Sequence, residues 1–134
     1  MNGYLLDSSV VIDYTKGKKN VVEVVDNLKD EVSTSYVVLA ELYEGIYRSQ
    51  NEVEGDILGF VGSLDKIYGL DKKTVKIFGK IRTKLKKEGK IIEDMDIFIA
   101  STCLANNLIL VTLNEKHFNR VENLEILNPK NLLN

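Results

Sequence analysis

Short apolar segments alternate with longer segments of helical periodicity along almost the whole of this 134-residue sequence. Turn residues bound the short segments, and between them apolar residues recur at helical spacing. The strand-like segments are GYLLD, EVSTSY, DKIYG, LILVTLN and LEIL. Because strands that alternate with helices usually pair in parallel, we predict an α/β fold: one domain over residues 1–134, with a central, mostly parallel sheet of about four to five strands flanked by helices.

The helical segments are bounded by residues that commonly begin or end helices. Ser8 or Ser9 is expected to cap a first short helix, which Gly17 ends. Asp71 is expected to cap a long helix that Gly89 ends. The predicted helices cover residues 8–17, 20–29, 37–49, 53–64, 71–87 and 94–106.

Composition excludes several classes of protein. A hydrophobic content of 44% is enough to bury a core in a chain of this length. No run approaches the roughly 18 consecutive apolar residues that a membrane span needs, and the first residues do not resemble a signal peptide, so we expect a cytoplasmic protein without a membrane partner. The one cysteine, Cys103, lies in an apolar run and is interpreted as buried, and a single histidine excludes multi-histidine zinc motifs.

Acidic and amide side chains stand at one edge of the predicted sheet. Asp7 closes the first strand, and Glu41 lies one to two turns into the helix after the second. Asp94 and Asp96 begin the helix before LILVTLN, and Asn114 ends that segment. Carboxylates about 4 Å apart repel by roughly 1 kcal/mol per pair in water, and by more where water is partly excluded. A raised pKa or a cation would relieve this repulsion, and an oxygen-rich cluster favours Mg²⁺ or Mn²⁺ over zinc.

Each of these acids also has an ordinary structural explanation. Asp94 fits the helix N-cap as well as it fits a metal site, because aspartate is strongly favoured at that position. Asp96 would suit the first helical turn through the helix dipole alone. Glu41 would be a solvent-exposed helix residue, although its apolar neighbours Leu39 and Leu42 argue against a solvent-exposed surface there.

Positive charge is concentrated in residues 71–90, which hold nine basic residues and two acids, whereas the other 114 residues hold nine basic residues and eighteen acids. At about 100° per residue, six lysines share one face of the predicted helix, and Val75 falls with the apolar residues on the opposite face. The lysine face either binds nucleic-acid phosphates or simply keeps the helix soluble. Arg82 is expected to lean toward the body of the domain and to clamp a phosphate there. The candidate RNA-binding lysines are Lys76, Lys80 and Lys84.

Four motifs in order, YLLDSSVVIDY, VSTSYVVLAELYEGI, GKIIEDMDIFIAST and LILVTLNEKHF, resemble those of the PIN domain, and more closely those of its VapC-type toxin ribonucleases. The resemblance covers nearly the whole chain. It implies that the family's three acids are Asp7, Glu41 and Asp96, and that its fourth position is Asn114. Supporting roles fall to Ser8, Ser9 and Thr112.

Two positions depart from the family pattern. Ser9 stands where asparagine is usual, and Asn114 stands where aspartate is common. The second departure weakens a second metal site, and Asp94 could supply the missing carboxylate if it lies at or before the helix cap.

The resemblance implies a metal-dependent endoribonuclease that uses Mg²⁺ or Mn²⁺, acts on RNA and is held inactive by a VapB-like antitoxin. In this mechanism Asp7 and Asp96 hold a metal ion, with Glu41 binding directly or through water, and Glu41 or Asp94 aligns or deprotonates the attacking water. A homodimer is also implied, with AELYEGIYRS and DILGFVGSL as candidate interface helices.

Other functions stay open from the sequence. One is a PIN domain that binds RNA or protein without cleaving, and another is an RNA-processing PIN nuclease that has no antitoxin. A hydrolase triad of His117 with Ser8 or Ser9 is set aside, because the sequence has no G-x-S-x-G nucleophile elbow.

Overall fold

The computed structural model describes residues 3–49 and 53–131 and shows a five-stranded sheet flanked by helices. The strands are β1 (Gly3–Leu6), β2 (Val32–Ser35), β3 (Lys66–Tyr68), β4 (Leu108–Val111) and β5 (Ile126–Leu127). The helices are α1 (Ser8–Thr15), α2 (Lys19–Asp26), α3 (Tyr36–Ser49), α4 (Glu54–Gly62), α5 (Lys72–Glu88), α6 (Asp94–Asn106) and α7 (Glu115–Phe118), and a 3₁₀ turn follows at Pro129–Asn131. The predicted α/β fold is confirmed. Within the described ranges, no helix is both long and apolar enough to cross a membrane.

The sheet has the strand order β3-β2-β1-β4-β5, and all neighbouring strands pair in parallel. The central strand β1 pairs with β4 over its whole length, and Leu6 lies opposite Val111. Because all five strands run the same way, their carboxyl ends share one edge of the sheet. The loops that follow β1, β2 and β4 therefore meet near the middle of that edge.

Glycine is required where β1 begins. Gly3 has a φ of 139°, and a Cβ atom there would stand 2.4 Å from the carbonyl oxygen of Glu31. The next residue, Tyr4, donates its backbone N–H to that same oxygen at 2.8 Å. The close approach starts the pairing of β1 with β2 in the observed register.

Helix α6 lies against the sheet and is buried on most of its circumference. Its buried residues include Ile97, Ile99 and Cys103, so the prediction that the cysteine is buried is confirmed. On its outer side α6 packs against α5, where the Phe78 ring stacks on Phe98 with ring centroids 3.9 Å apart. A helix this enclosed places its first turn rigidly beside the sheet edge.

Two helix ends decide positions that matter below. Asp71 accepts a hydrogen bond from the Thr74 backbone N–H at 2.9 Å and caps α5, and Gly89 ends that helix at a φ of 68°, both as predicted. The predicted cap of α1 is wrong: the cap is Asp7, whose Oδ1 accepts from the Ser8 backbone N–H at 2.8 Å. Since β1 ends at Leu6, the chain leaves only one residue to serve as both strand end and helix cap.

Two smaller differences separate the structure from the sequence-based expectation. Val75 is 44% exposed rather than packed, because it lies at the edge of the apolar face of α5. Helix α7 was not predicted, because a helix of four residues is too short to show a periodic pattern.

Candidate active site

Asp7 lies at the carboxyl end of β1 and is only 2% exposed. Its Oδ2 accepts hydrogen bonds from the hydroxyls of Thr112 at 2.7 Å and Ser9 at 3.3 Å. Burial raises the pKa of Asp7 above its usual value, and the hydrogen bonds from Thr112, Ser8 and Ser9 offset part of that rise. The hydrogen bonds therefore hold the carboxylate in place, while burial raises the free energy of its charged form. A nearby cation would lower that free energy.

The two hydroxyls that hold Asp7 also bind the backbone after β4. Thr112 Oγ1 accepts the Asn114 N–H at 3.0 Å, and Ser9 Oγ accepts the Leu113 N–H at 3.2 Å. The structure therefore brings the predicted supporting residues Ser9 and Thr112 to Asp7. Asn114 is exposed, and it is linked to the site by the hydrogen bond from its backbone N–H to Thr112.

Glu41 projects from α3 toward the same point. Ser8, one of the residues predicted to support the site, donates from Oγ to Glu41 Oε1 at 3.3 Å. The pKa of Glu41 is raised to about 7, first by burial, then by the charges of Asp7 and Asp96. Ser8 therefore links Glu41 to Asp7 by hydrogen bonds, and the influence of the Asp96 charge on the pKa of Glu41 agrees with all three predicted acids lying near this edge of the sheet.

Asp96 lies in the first turn of α6 and is also buried. Burial and the charge of Asp7 raise the pKa of its carboxyl, and a contact with His117 opposes that rise. His117 Nδ1 stands 3.3 Å from Asp96 Oδ2. From the sequence, His117 is considered only as a member of a hydrolase triad, which the absence of a G-x-S-x-G elbow excludes, and its contact with Asp96 is not predicted.

Asp94 points away from this cluster. Residues two apart on a helix differ by about 200°, so the side chains of Asp94 and Asp96 lie on opposite sides of α6. Asp94 Oδ1 accepts from Arg82 Nε at 2.8 Å, and it does not cap the helix, since Glu93 holds that position. Glu93, rather than Asp94, is the further acid whose charge raises the pKa of both Glu41 and Asp96. This placement does not fit the hypothesis that Asp94 serves the pocket.

A cleft of about 410 Å³ opens beside Asp96, and we call it the acidic cleft. Basic groups form part of its wall, although the sequence analysis assigned none of them to the site. They belong to α7 and the segment after it, where no helical pattern is visible in the sequence. The cleft is lined by Ile91, Ile92, Glu93, Asp96, Lys116, His117 and Arg120.

The predicted RNA-binding residues lie elsewhere on the surface. Lys76, Lys80 and Lys84 line a groove of about 540 Å³ on the exposed face of α5, and none of them lines the acidic cleft. Arg82 leans toward α6, as expected, but it pairs there with Asp94.

The chemistry of the acids fits an oxygen-preferring cation. Asp7 and Asp96 are buried carboxylates. A cation between them and Glu41 would offset the cost of burying their negative charges and would reduce the repulsion that Glu41 and Asp96 experience. Within residues 3–49 and 53–131, no group of three or more His, Cys, Asp or Glu side chains forms a ready-made metal site. Mg²⁺ is commonly held by one or two carboxylates and keeps several waters, so Asp7 and Asp96, with Glu41 through water, are the residues that would hold it.

Comparison with known proteins agrees with this geometry. The PIN domain family model matches residues 4–124. The sequence is 34% identical over 118 residues to ribonuclease VapC1 of Methanocaldococcus jannaschii, which covers 88% of this chain and 80% of that protein. It is 34% identical over 134 residues to ribonuclease VapC2 of Rickettsia felis, with 93% and 96% covered.

The fold is also similar to a solved structure. The crystal structure of VapBC2 from Rickettsia felis, bound to a DNA fragment from their promoter, superimposes with a TM-score of 0.86 at 30% identity, and the match covers 94% of this chain and 98% of that chain. From the matched family model, the two relatives and the shared fold, we conclude that the chain belongs to the PIN domain family and, within it, to the VapC proteins.

Proposed function

We propose that this chain is a metal-dependent endoribonuclease and the toxin of a VapBC-type toxin–antitoxin pair. The observation that carries the proposal is that Asp7, Glu41 and Asp96 lie at one edge of the sheet, where burial raises the pKa of all three and the charges of neighbouring carboxylates raise those of Glu41 and Asp96 further. The ribonuclease names of the two relatives, which resemble nearly the whole chain, support the reaction. The cofactor proposed is Mg²⁺ or Mn²⁺, and the substrate is RNA.

In the proposed mechanism, the three acids have distinct tasks. A divalent cation, when bound, polarises the scissile phosphate and makes a nearby water more acidic. Asp7 and Asp96 are held on β1 and α6 and orient the site. Glu41, which reaches the same point from α3, takes the proton from the water that attacks phosphorus as the bond to the leaving oxygen breaks. Basic side chains of the acidic cleft, Lys116 and Arg120, lie where they can bind neighbouring phosphates.

Cleavage of an RNA pool by the purified protein tests this proposal. We expect cleavage with Mg²⁺ or Mn²⁺, none with EDTA, and a loss of at least about a hundredfold in Asp7→Asn and in Asp96→Asn. The matched control is Asp94→Asn, which removes the same charge two residues away and should keep most activity because Asp94 faces Arg82. Equal activity in wild type and both site variants would show that the acids do not catalyse, and a binding role without cleavage would then lead.

Metal binding can be measured without activity. Millimolar Mg²⁺ or Mn²⁺ should raise the melting temperature of the wild type, because a ligand that binds only the folded state stabilises it. The double variant Asp7→Asn/Asp96→Asn should show no such rise. A rise of the same size in the variant would place the ion elsewhere on the protein.

We also propose a VapB-like antitoxin as the partner. The VapBC complexes among the similar structures support this pairing. Expression of the wild type in a bacterial host should arrest growth, expression of Asp7→Asn should not, and co-expression of the product of a neighbouring antitoxin gene should relieve the arrest. Growth arrest by Asp7→Asn as well would speak against RNA cleavage as its cause.

A homodimer is proposed through α3. Tyr36, Ala40 and Tyr47 lie on one exposed face of this helix, and Tyr43 and Tyr47 stack there with centroids 5.8 Å apart. Exposed aromatic side chains in a row are typical of protein interfaces. The second predicted interface helix, α4, does not present a comparable aromatic face, because Ile57 and Val61 are buried and Phe60 stacks on Tyr14.

A further inference from the structure

The lysine-lined groove on α5 is strongly cationic. We call it the lysine groove; it has a volume of about 540 Å³, and four of its six lining residues are lysines, with no acid among them. From Lys76 to Lys87 it follows α5 for about 16 Å, at about 1.5 Å per residue. A surface of this kind attracts a chain of phosphates more strongly than a single anion.

Glycine and threonine leave space between those lysines. Gly79 lies inside α5, where glycine lowers helix stability. A Cβ atom at Gly79 would meet nothing within 4 Å, so no close approach by another part of the described chain requires glycine there. Together with Thr83, one turn later, it keeps the middle of the lysine groove shallow and open.

A third cleft connects the lysine groove to the acidic cleft. This bridging cleft, of about 320 Å³, lies between α5 and the segment after α7. It shares Lys84 with the lysine groove and Arg120 with the acidic cleft, and its other charged residues are Lys90, Glu88 and Glu122. The three clefts therefore adjoin one another through two cationic side chains.

Both shared side chains could bind phosphate. Arg120 donates from Nη1 to the Ile91 carbonyl oxygen at 3.0 Å, which fixes the guanidinium beside both clefts. Lys84 pairs with Glu122, and both side chains are more than half exposed. Ion pairs so exposed to solvent contribute little to stability, so a phosphate can replace the Glu122 carboxylate at Lys84.

We propose that single-stranded RNA bound at the acidic cleft continues past Arg120 across the bridging cleft and into the lysine groove. Arg120, Lys84 and Lys80 bind its successive phosphates, and Glu122 competes with the RNA for Lys84. The inference rests on the proposed ribonuclease function. It adds an extended substrate site outside the acidic cleft, and an acid that weakens binding there.

We call this extended site the RNA track, and binding of labelled single-stranded RNA in EDTA, where cleavage is not expected, tests it. Oligomers of about 4 and about 16 nucleotides span the range of single-strand site sizes. We expect the double variant Lys80→Gln/Lys84→Gln to bind the long RNA about tenfold more weakly and to bind the short RNA almost as well as the wild type does. The slope of log affinity against log salt concentration should become shallower by about 1.4 for the long RNA, because two phosphate contacts are lost. Glu122→Gln should raise affinity for the long RNA by about two- to threefold, because it frees Lys84.

The matched control is Lys18→Gln/Lys29→Gln, which removes two exposed lysines that line none of the three clefts. Two results would overturn the track: an equal loss in this control pair, or no gain in Glu122→Gln. Cleavage with Mg²⁺ by the same preparations separates the two proposals. If the wild type cleaves RNA but the Lys80→Gln/Lys84→Gln variant binds long RNA as well as the control pair does, only the RNA track is wrong. If the wild type does not cleave RNA but the variants show the expected changes in affinity, the nuclease proposal is wrong and the RNA track stands.

Discussion

At the scale of single residues, Asp7 combines structural and chemical roles. It directly follows β1, caps α1 and lies beside the other acids. Its three side-chain and backbone donors, Thr112, Ser9 and Ser8, come from two separate parts of the chain. A carboxylate this buried is tolerable because hydrogen bonds compensate part of the desolvation.

Replacing Thr112 with valine should show this compensation. Thr112→Val keeps the shape but removes the 2.7 Å hydrogen bond to a buried carboxylate, so we expect a loss of about 1–2 kcal/mol in the free energy of unfolding, together with reduced cleavage. Denaturant unfolding and the RNA assay measure the two effects. Thr102→Val is the control, since its buried hydroxyl donates only to the Phe98 carbonyl within α6. Similar losses of cleavage in both variants would mean that Thr112 has no special link to Asp7.

Glu41 should give the metal-free protein an unusual pH dependence. Unfolded, it ionises near its ordinary value of 4.5; folded, its pKa is about 7. Between these values the folded state holds a proton that the unfolded chain has released, so stability falls as pH rises through this window. In EDTA, Glu41→Gln should reduce the fall by roughly 1 kcal/mol, allowing for solvent screening at this half-exposed group. Identical pH profiles for wild type and variant would contradict the raised pKa.

At the scale of elements, α6 explains why two neighbouring acids differ in role. Its buried surroundings allow one orientation, in which Asp96 faces Asp7 and Asp94 faces Arg82. A shift of one residue in the helix start would rotate both side chains by about 100° and remove Asp96 from the cluster. The site therefore depends on where α6 begins, and this is set by its packing against α5 and the sheet.

Two glycines, one inside α5 and one directly after it, should respond oppositely to replacement by alanine. Gly79→Ala should raise the free energy of unfolding by about 0.5–1 kcal/mol, because alanine is the better helix former and its Cβ meets nothing. Gly89→Ala should lower it by about 1 kcal/mol, because a side chain is strained at a φ of 68°. Thermal or denaturant unfolding checks both. A loss of stability in Gly79→Ala would show that the open space above α5 is filled in solution.

At the scale of the whole molecule, the strand order places the loops after β1, β2 and β4 side by side. Asp7 and Glu41 follow β1 and β2, and Asp96 joins them because α6 begins at this edge before the chain returns as β4, although more than thirty residues separate each acid from the next in sequence. The same arrangement places the tyrosine row of α3 on the outer surface, away from the core.

The proposed dimer can be tested on that row. Tyr47, 68% exposed, should lie inside the interface, so Tyr47→Lys should shift the protein toward monomer in light scattering across a concentration series. Ile91→Lys is the control, because Ile91 is also 68% exposed but lies in the acidic cleft. A monomeric wild type, or equal dissociation in both variants, would count against α3 as the interface.

The amino-acid sequence by itself determined the α/β class and the helix α5 with both its ends, and it predicted one sheet edge for Asp7, Glu41, Asp94, Asp96 and Asn114, from which the resemblance to the PIN domain selected Asp7, Glu41 and Asp96. Those features depend on local patterns: apolar alternation, capping residues and the position of acids at strand ends. Only the tertiary structure decided that Asp7 caps α1, that Asp94 turns to Arg82 and that His117 and Arg120 border the cleft. These outcomes depend on side-chain directions and on contacts between distant segments, which no local periodicity encodes.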